Sequence, residues 1–454
     1  MASFRVIIVG GGLAGALLAN GLLNNGVEVD IYERDTADSK REGYQIRLGA
    51  AADTGFDVCL QDDVKRAIHE KFGQSAGTGS TAPTVSNSRL DTLLDLTKFP
   101  NYSKSSAINR VVLRDILLGP IKAAGRVHYD KAFSKYTIIQ GSQGLEKVRV
   151  HFADGSVETC DILVGADGSR SRVNHQLGAR NLVDVNSHVS FVNKGSLTQD
   201  IISALPARLQ AGPLLVFTKD ITLFYALYLP SADGGAAAAA KLSKMQVDLN
   251  QGSFYWGMTV KKDRLGGKKI EDNLKFCLEQ VKDWNPAYTD MIRIGAEQND
   301  SIVAIPLRAS NAVSKKWRQN AKKTARADAT TGHERVWIMG DAIHAMQPNR
   351  GMGGNQAMQD AGEMLPELLH LADLSRSGKG PTSAEITAAL TRFEDEMIDR
   401  AFTWVKKSGG TSVPSLDLDG PLGTLLKFVG MLVSVYSVFH RAVWSGASSK
   451  AKLA

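Results

Sequence analysis

Two kinds of hydrophobic pattern follow each other at the start of the chain. Residues 6–9 form an uninterrupted apolar run, residues 13–24 are small and apolar at helical spacing, and apolar residues return at Val27, Val29 and Ile31. These patterns predict a buried strand, a helix and a second strand. In this order they predict a β-α-β unit, whose two strands are parallel.

The turn between the first strand and the helix has the glycine spacing of a dinucleotide-binding site. Gly10 allows a tight turn, Gly12 lets the backbone approach a pyrophosphate, and Gly15 lets the helix pack closely on the strand. The second strand ends at Glu33, 18 residues after Gly15, where a carboxylate can accept hydrogen bonds from an adenosine ribose. The strands, the glycines and the acid together predict a bound dinucleotide.

Later patterns predict a second, sheet-rich region and a helical end. Alternating residues predict strands within 127–164, with a hairpin turn at 153–156 and one returning strand at 157–164. Aromatic strands are predicted at 221–229 and 253–260. The block 180–310 also contains a predicted helix at 271–284 and a low-complexity surface loop at 231–240. A buried strand is predicted at 336–339, and helices at 383–407 and 422–444.

Composition narrows the partners and the compartment. Lys and Arg exceed Asp and Glu by 54 to 47, and the basic runs at 261–269 and 315–326 lack interleaved aromatics. We interpret these runs as solvated loops and expect no nucleic-acid partner. Cys59, Cys160 and Cys277 are odd in number and far apart, which predicts neither a disulfide framework nor a metal site. We expect a reducing compartment, the cytoplasm.

The segment 422–444 is the most hydrophobic part of the chain. Lys427, His440 and Arg441 interrupt it and leave 12 uncharged residues between the first two, fewer than the ~20 needed to span a bilayer. We therefore expect no transmembrane span and interpret the segment as a packed helix. Contact with a membrane surface and contact between two copies stay open, as does the choice between monomer and homodimer.

Two further glycine-rich segments each follow an apolar strand. Gly165 to Ser169 follows the strand predicted to end at Val164, and residues 340–354 follow the strand at 336–339. In open parallel sheets, ligands bind at the carboxyl ends of the strands. Three such strand ends, each exposing backbone N–H groups or a carboxylate, can surround one long cofactor.

The three segments together resemble the class A (single-component) FAD-dependent monooxygenases with the p-hydroxybenzoate hydroxylase fold. The resemblance rests on GxGxxG with Glu33, on Asp167 and Gly168 within GADGSRSRV, and on Gly340 and Asp341 within GDAIHAMQPNRGMGGNQAMQDA. It implies an α/β fold in which a Rossmann-like, GR2-type FAD-binding domain carries an inserted sheet-based substrate domain and C-terminal helices.

The resemblance also implies how the chain is divided. The FAD-binding domain would comprise residues 1–75, 109–179 and 313–375. The substrate domain would comprise an excursion at 76–108 and the sheet domain at 180–312. Residues 376–454 would form a C-terminal helical region.

The resemblance further implies residue roles around FAD. Glu33 would bind the adenosine ribose, Arg41 and Arg110 would contact the cofactor, and Asp167 with Gly168 would serve both FAD and NAD(P)H. Asp341 would hold the ribityl or phosphate region of FAD. Five residues would pass beneath the flavin ring, namely Pro348, Gly351, Gly353, Gly354 and Asn355. The helix that opens there would stabilise negative charge on the reduced flavin. We interpret His344 as a loop histidine with local hydrogen bonds.

These roles imply an FAD-dependent monooxygenase that consumes NADPH or NADH and molecular oxygen. It would hydroxylate or epoxidise an aromatic or isoprenoid-type small molecule, as in secondary metabolism, through a flavin hydroperoxide. The substrate would lie between the flavin and the sheet domain, against Phe224, Tyr225, Phe254, Tyr255, Trp256 and Met346. Because side chains alternate along a strand, either Phe254 and Trp256 or Tyr255 faces the substrate. No catalytic acid or base is identifiable.

Two alternatives stay open. One is an FAD-dependent reductase of a polyprenyl substrate, which would oxidise NADPH without oxygen. The other is a non-catalytic flavoprotein, which would consume no NADPH. An NAD-dependent dehydrogenase would leave the segment around Asp341 unexplained, and the WxWxIP motif of flavin halogenases is absent from the sequence.

Overall fold

The chain divides into two units that interleave in sequence. Unit 1 comprises residues 1–70, 108–185 and 307–412, and unit 2 comprises 71–107, 186–306 and 413–454. The computed structural model describes residues 4–39, 45–72, 82–99, 106–141, 144–228, 252–267, 269–294, 296, 302–325, 328–378, 380–413 and 415–450. The low-complexity segment 231–240 therefore lies outside the described residues.

A five-stranded parallel sheet is the centre of unit 1. In spatial order its strands are β17 (Val336–Ile338), β11 (Ile162–Gly165), β1 (Arg5–Val9), β2 (Glu28–Tyr32) and β7 (Val127–His128). The strands β1, β11 and β17 are thus direct neighbours. They are also the three strands that precede the glycine-rich segments.

Helices surround this sheet, and two smaller sheets accompany it. The helices of unit 1 are α1 (Leu13–Asn24), α2 (Ala50–Cys59), α3 (Asp62–His69), α4 (Arg110–Ala123), α5 (Arg172–Leu177), α10 (Trp317–Ala325), α11 (Asp341–His344), α12 (Gly353–Arg376) and α13 (Ser383–Lys407). The smaller sheets are β10 (Val157–Cys160), β9 (Glu146–Phe152) and β8 (Phe133–Gln140), and the pair β3 (Gln45–Leu48) and β6 (Ser106–Asn109). Residues 383–407 form a helix as predicted.

Two predictions for unit 1 were wrong. The alternation at 157–164 predicted one strand, but Asp161 separates β10, which is antiparallel to β9, from β11, which belongs to the parallel sheet. The backbone N–H of Asp161 donates to the carbonyl of Arg5 at 2.8 Å, so the chain changes sheets there. The basic run at 315–326, interpreted as a loop, contains helix α10.

A seven-stranded sheet carries most of unit 2. In spatial order its strands are β16 (Val303–Ser310), β12 (Leu182–Leu197), β15 (Gly252–Lys261), β14 (Ile221–Tyr228), β13 (Leu214–Phe217), β4 (Thr84–Ser86) and β5 (Thr92–Asp95). The helices of unit 2 are α6 (Gln199–Ala204), α7 (Ala207–Gln210), α8 (Asn273–Val281), α9 (Pro286–Arg293) and α14 (Pro421–Lys450). Alternate residues of β15 are buried. They share a core cluster with residues of α8 and α9.

The C-terminal region is divided between the units. Residues 376–454 were predicted to form a region of their own, but α13 belongs to unit 1 and α14 to unit 2. The prediction that the last helix is packed holds for one face only. A Cβ on Gly430 would lie 2.2 Å from the carbonyl oxygen of Leu93 on β5, so α14 touches that strand closely. Within the described residues, we find no helix with the length and apolarity needed to cross a membrane.

Candidate functional site

The three glycine-rich segments of unit 1 meet at one edge of its parallel sheet. The N–H of Ala166 donates to the carbonyl of Val9 at 2.8 Å, and the N–H of Met339 donates to the carbonyl of Gly165 at 3.1 Å. Gly10 has a φ of +110°, and a Cβ there would lie 2.3 Å from the carbonyl oxygen of Ala166. Only glycine therefore allows the first two segments to approach this closely.

The N-terminus of α1 faces open space. Gly12 is the N-cap of α1 and makes no side-chain cap hydrogen bond. No heavy atom of the described chain lies within 4 Å of a Cβ built on Gly12, whereas a Cβ on Gly15 would lie 2.2 Å from the carbonyl oxygen of Gly10. The first-turn N–H groups of a helix have no intrahelical partners and carry a partial positive charge. This arrangement suits the phosphates of a dinucleotide.

Glu33 is fixed beside the glycine turn by an arginine that the sequence analysis missed. The N–H of Gly11 donates to Oε2 of Glu33 at 3.0 Å, and the N–H of Asp35 donates to Oε1 at 3.2 Å. Arg114 donates from Nε to the carbonyl of Gly11 at 2.6 Å, and its Nη2 lies 3.4 Å from Oε2 of Glu33. Arg114 lies four residues after Arg110 on α4, so the two arginines share one helix face. This spacing was the sequence signal that could have identified Arg114.

Asp167 holds its own turn together. Its carboxylate accepts hydrogen bonds from the hydroxyl of Ser171 and from the N–H groups of Arg172 at 2.8 Å and Val173 at 3.3 Å. Burial raises the pKa of the Asp167 carboxyl, although these hydrogen bonds oppose the shift. Gly168 has a φ of +78° with open space around its Cβ position. The observed contacts of Asp167 are structural, and its cofactor role stays a prediction.

Asp341 begins α11 and lies near Arg110. Its side chain is exposed. Desolvation by the surrounding protein raises the pKa of the Asp341 carboxyl, and the charges of His344 and Arg110 oppose this shift. A Cβ on Gly353 would lie 3.8 Å from Oδ1 of Asp341. The structure thus brings Arg110 close to the segment that holds Asp341 and Gly353, although the two are far apart in the sequence.

The segment predicted to pass beneath the flavin leads into the N-terminus of α12. Pro348 is exposed and begins the short 3₁₀ turn Pro348–Arg350, and Gly351 ends it with a φ of +63°. Cβ positions on Gly351 and Gly354 have no heavy atom within 4 Å in the described chain. The first turn of α12 has no side-chain cap. Its N–H groups are therefore available to an anionic group.

Asn355 holds this segment against the end of β3 and the residue that follows it. Its side-chain amide donates to the carbonyls of Arg47 at 2.7 Å and Gly351 at 2.9 Å, and its Oδ1 accepts the N–H of Gly49 at 2.9 Å. Asn355 was predicted to lie beneath the flavin ring, but the contacts observed here are to the backbone. Arg41, the other predicted residue of this region, lies outside the described residues.

A buried charge network supports the turn at Gly340. Oδ2 of Asp360 accepts the N–H of Gly340 at 2.7 Å and lies 2.6 Å from Nε2 of His344, and Oδ1 accepts Nη2 of Arg400 at 2.7 Å. Burial favours a raised pKa for Asp360, but the charges and hydrogen bonds of His344 and Arg400 outweigh it and lower the pKa to about 2. The bond from His344 is tertiary rather than local, and Arg400 comes from α13.

The predicted substrate residues of unit 2 separate into two groups. Tyr225, Phe254 and Trp256 are at most 2% exposed and lie in the core cluster shared with α8 and α9. Strand alternation places Phe224 and Tyr255 on the opposite face of the sheet. Their ring centroids are 5.9 Å apart. We therefore withdraw the three buried aromatics as substrate contacts.

Met346 and a separate carboxylate-histidine cluster complete the candidates in unit 1. Met346 is half-buried, and its Cγ would lie 3.6 Å from a Cβ on Gly353.

Glu146, His333 and Glu334 place their ligand atoms within 4.8 Å of one another. The N–H of Arg335 donates to Nδ1 of His333, and Lys322 pairs with Glu334 at 3.3 Å. These contacts account for the cluster as an ion-pair network.

Comparison with known proteins decides the family. The model of the FAD binding domain family matches residues 3–200 and 284–376, which is more than half of the chain. The chain belongs to this family. The resemblance to class A FAD-dependent monooxygenases and the predicted fold class are therefore confirmed.

Individual relatives are distant. The chain is 23% identical over 438 residues to the dual O-methyltransferase/FAD-dependent monooxygenase elcB of Phaeosphaeria nodorum, covering 89% of this chain and 45% of elcB. It is 26% identical over 406 residues to chloroplastic zeaxanthin epoxidase of Nicotiana plumbaginifolia, covering 86% and 52%. The chain thus spans about half the length of these curated relatives. The structure of Klebsiella pneumoniae HpxO complexed with FAD and uric acid has a TM-score of 0.61 at 18% identity, covering 89% of this chain and 87% of that chain.

Proposed function

We propose that this protein is an FAD-dependent monooxygenase that uses NADPH or NADH as reductant. It transfers one oxygen atom of O₂ to an aromatic or isoprenoid-type small molecule, by hydroxylation or epoxidation, and reduces the other to water. The observation that carries the proposal is the meeting of three glycine-rich strand ends at one sheet edge, where Gly12, Gly168, Gly351 and Gly354 face open space. The monooxygenase and epoxidase names of the relatives support the reaction class.

The residues at this edge fit FAD. The N-terminus of α1 at Gly12 suits the pyrophosphate, and Glu33 is the proposed contact of the ribose hydroxyls. Asp341, with Arg110 nearby, is the proposed contact of the ribityl and phosphate region. A side chain at Gly12, Gly351 or Gly354 would fill the space that the cofactor needs.

In this proposal the protein binds and orients FAD and the substrate and shields them from water. Bound FAD would supply the redox chemistry, accepting a hydride from NAD(P)H and passing two electrons to O₂. The uncapped N-terminus of α12 stabilises negative charge beside it. The Asp360 network holds the turn at Gly340, and therefore Asp341, in place. We propose Met346, which lies beside Gly353, as a substrate contact in unit 1.

The compartment is part of the same proposal. All three cysteines are buried and free, and burial raises the pKa of each thiol well above its usual range. Protonated, buried thiols are poor nucleophiles and form no disulfides here. This pattern supports the reducing cytoplasm that the sequence predicts.

The decisive experiment follows the oxygen atom. Purified protein is assayed for a flavin absorption spectrum and then for NADPH oxidation with phenols, indoles and prenylated compounds under ¹⁸O₂. We expect substrate-stimulated oxidation and one ¹⁸O atom in the product. Substrate-dependent oxidation that persists without oxygen, and incorporates none, would favour the reductase. A flavin-bound protein that consumes no NADPH with any compound would favour the non-catalytic flavoprotein.

A further inference from the structure

Within residues 421–436, whose side chains the structure describes, the C-terminal helix α14 contacts unit 2 by one side. Leu426 packs against the small core cluster of Val85, Leu93 and Leu418. Gly430 lies so close to β5 that a Cβ would come within 2.2 Å of the carbonyl oxygen of Leu93. Lys427 pairs with Asp91 at 3.2 Å. These contacts fix the rotation of the helix, and so they fix which side chains point away from unit 2.

The opposite side of α14 is apolar and exposed. Six large side chains are each between 56% and 69% exposed, namely Leu425, Phe428, Met431, Leu432, Val435 and Tyr436. At 100° per residue they occupy an arc of roughly 140° around the helix. We call these six residues the apolar face of α14. Single exposed apolar residues are ordinary, but a contiguous patch of this kind marks an interaction surface.

Charge indicates what covers the apolar face. Apart from Lys427, which pairs with Asp91, the helix carries Arg441 and Lys450 but no Asp or Glu, and the whole chain has a formal net charge of +7. Two copies of the chain would bring two basic, acid-free helices together, which is unfavourable. An anionic lipid surface offers opposite charge to the basic residues and a hydrocarbon layer to the apolar ones. A lipid surface therefore matches both the apolar side chains and the positive charge of the helix. A second copy of the chain would match only the apolar side chains.

We propose that the apolar face of α14 binds the surface of an anionic lipid bilayer, with the helix in the plane of the membrane. The six exposed side chains enter the boundary between headgroups and acyl chains. The protein is thus held at the membrane by apolar burial and by charge together. The proposal concerns unit 2 alone and holds whatever reaction unit 1 catalyses.

Vesicle flotation of the full 454-residue chain tests this directly. The probes are vesicles of phosphatidylcholine alone and of phosphatidylcholine mixed with phosphatidylserine. We expect stronger binding to the mixed vesicles, weakened by high salt because salt screens the charges. The triple variant L425Q/F428Q/L432Q should reduce the partition coefficient by about 100-fold, since three apolar side chains no longer enter the hydrocarbon.

The matched control removes exposed apolar residues elsewhere. Val58 and Val157 are 44% and 51% exposed and lie in unit 1, so V58Q/V157Q should bind mixed vesicles like the unchanged protein. Both variants should retain their far-ultraviolet circular dichroism spectrum. The proposal is overturned if the unchanged chain fails to bind mixed vesicles or if the triple variant binds as tightly. It is also overturned if the triple variant instead converts a dimer to a monomer in sedimentation velocity.

Discussion

We expect glycine at position 12 to matter for cofactor binding and not for folding. Its backbone has a φ of −76° and a ψ of −175°, which any residue can adopt, and no heavy atom of the described chain lies within 4 Å of its Cβ position. Gly10 and Gly15 differ, because a Cβ at either would clash with backbone. The residue at position 12 therefore matters for what binds there and little for folding.

Gly12→Val should abolish FAD binding and leave the protein folded. The valine side chain would occupy the space proposed for the pyrophosphate. The measurement is the flavin to protein absorbance ratio after purification, together with the urea midpoint. Gly119→Val, at another position with no heavy atom within 4 Å of the Cβ, is the control and should retain flavin. If Gly12→Val retained its full flavin content, the assignment of this turn to the pyrophosphate of FAD would be wrong.

Asp360 links the pH of the solution to the stability of unit 1. Its pKa is lowered to about 2 in the folded protein, whereas an unfolded Asp has a pKa of about 3.9. The ionised form is thus favoured by folding, so its contribution is fully present above pH ~4 and is lost as the pH falls toward ~2. The shift corresponds to about 2 to 3 kcal/mol.

Asp360→Asn should therefore be much less stable than the parent protein at neutral pH. The difference in stability between the two should shrink as the pH falls. Leaving buried His344 without its acid, and Arg400 with Glu363 as its remaining carboxylate partner, should cost about 3 to 5 kcal/mol. Urea unfolding at several pH values measures both effects as a difference between variant and parent. Glu367→Gln is the control, because Glu367 pairs with the exposed Arg392 and such pairs contribute about 0 to 1 kcal/mol. Parallel pH profiles for Asp360→Asn and the parent would contradict the predicted linkage.

At the scale of elements, close helix contacts hold α12 against α2. A Cβ on Gly55 of α2 would lie 2.2 Å from the carbonyl oxygen of Met358, and one on Gly362 of α12 would lie 3.0 Å from Cα of Gly55. Glycine at both positions lets the two backbones touch. Because α12 begins at the proposed flavin segment, this contact helps to set the position of its N-terminus.

Gly55→Ala and Gly119→Ala should change stability in opposite directions. Both lie inside helices, where alanine is favoured over glycine by up to about 1 kcal/mol. Gly119 is surrounded by open space and should gain stability, whereas at Gly55 the clash should cost about 1 to 3 kcal/mol. Urea unfolding of the two variants gives the comparison. Equal stabilisation of both would show that the helices can separate at no cost.

The elements also show how far sequence reasoning reaches. The strand ends at Gly10, Gly165 and Gly340 were predictable, because glycine spacing and apolar runs are local signals. The pairing of Asp360 with Arg400 was not, because 40 residues separate them and a charged residue on a helix ordinarily faces water. Its one signal was an acid among the small and apolar residues Ala357, Ala361 and Met364. The exposed face of α14 was also hidden, since hydrophobicity alone does not show which side of a helix is covered.

At the scale of the whole molecule, cofactor and fold are thermodynamically linked. The proposed FAD-binding residues come from three separated stretches of unit 1, so the proposed site exists only when these stretches are assembled. A ligand that binds only the folded state stabilises it according to its concentration relative to Kd. FAD should therefore raise the stability of unit 1 without any new protein contact.

Removal and return of FAD should move the melting temperature accordingly. Adding FAD at about 100 times its Kd to the flavin-free protein should stabilise it by about 2.7 kcal/mol, which is roughly 5 to 10 °C for a unit of this size. Differential scanning calorimetry measures the shift. Gly12→Val should show none, and riboflavin, which lacks the adenosine and pyrophosphate groups, should give a much smaller one. If NAD⁺ alone produced the full shift, the adenosine site around Glu33 would belong to a nicotinamide enzyme and not to a flavoprotein.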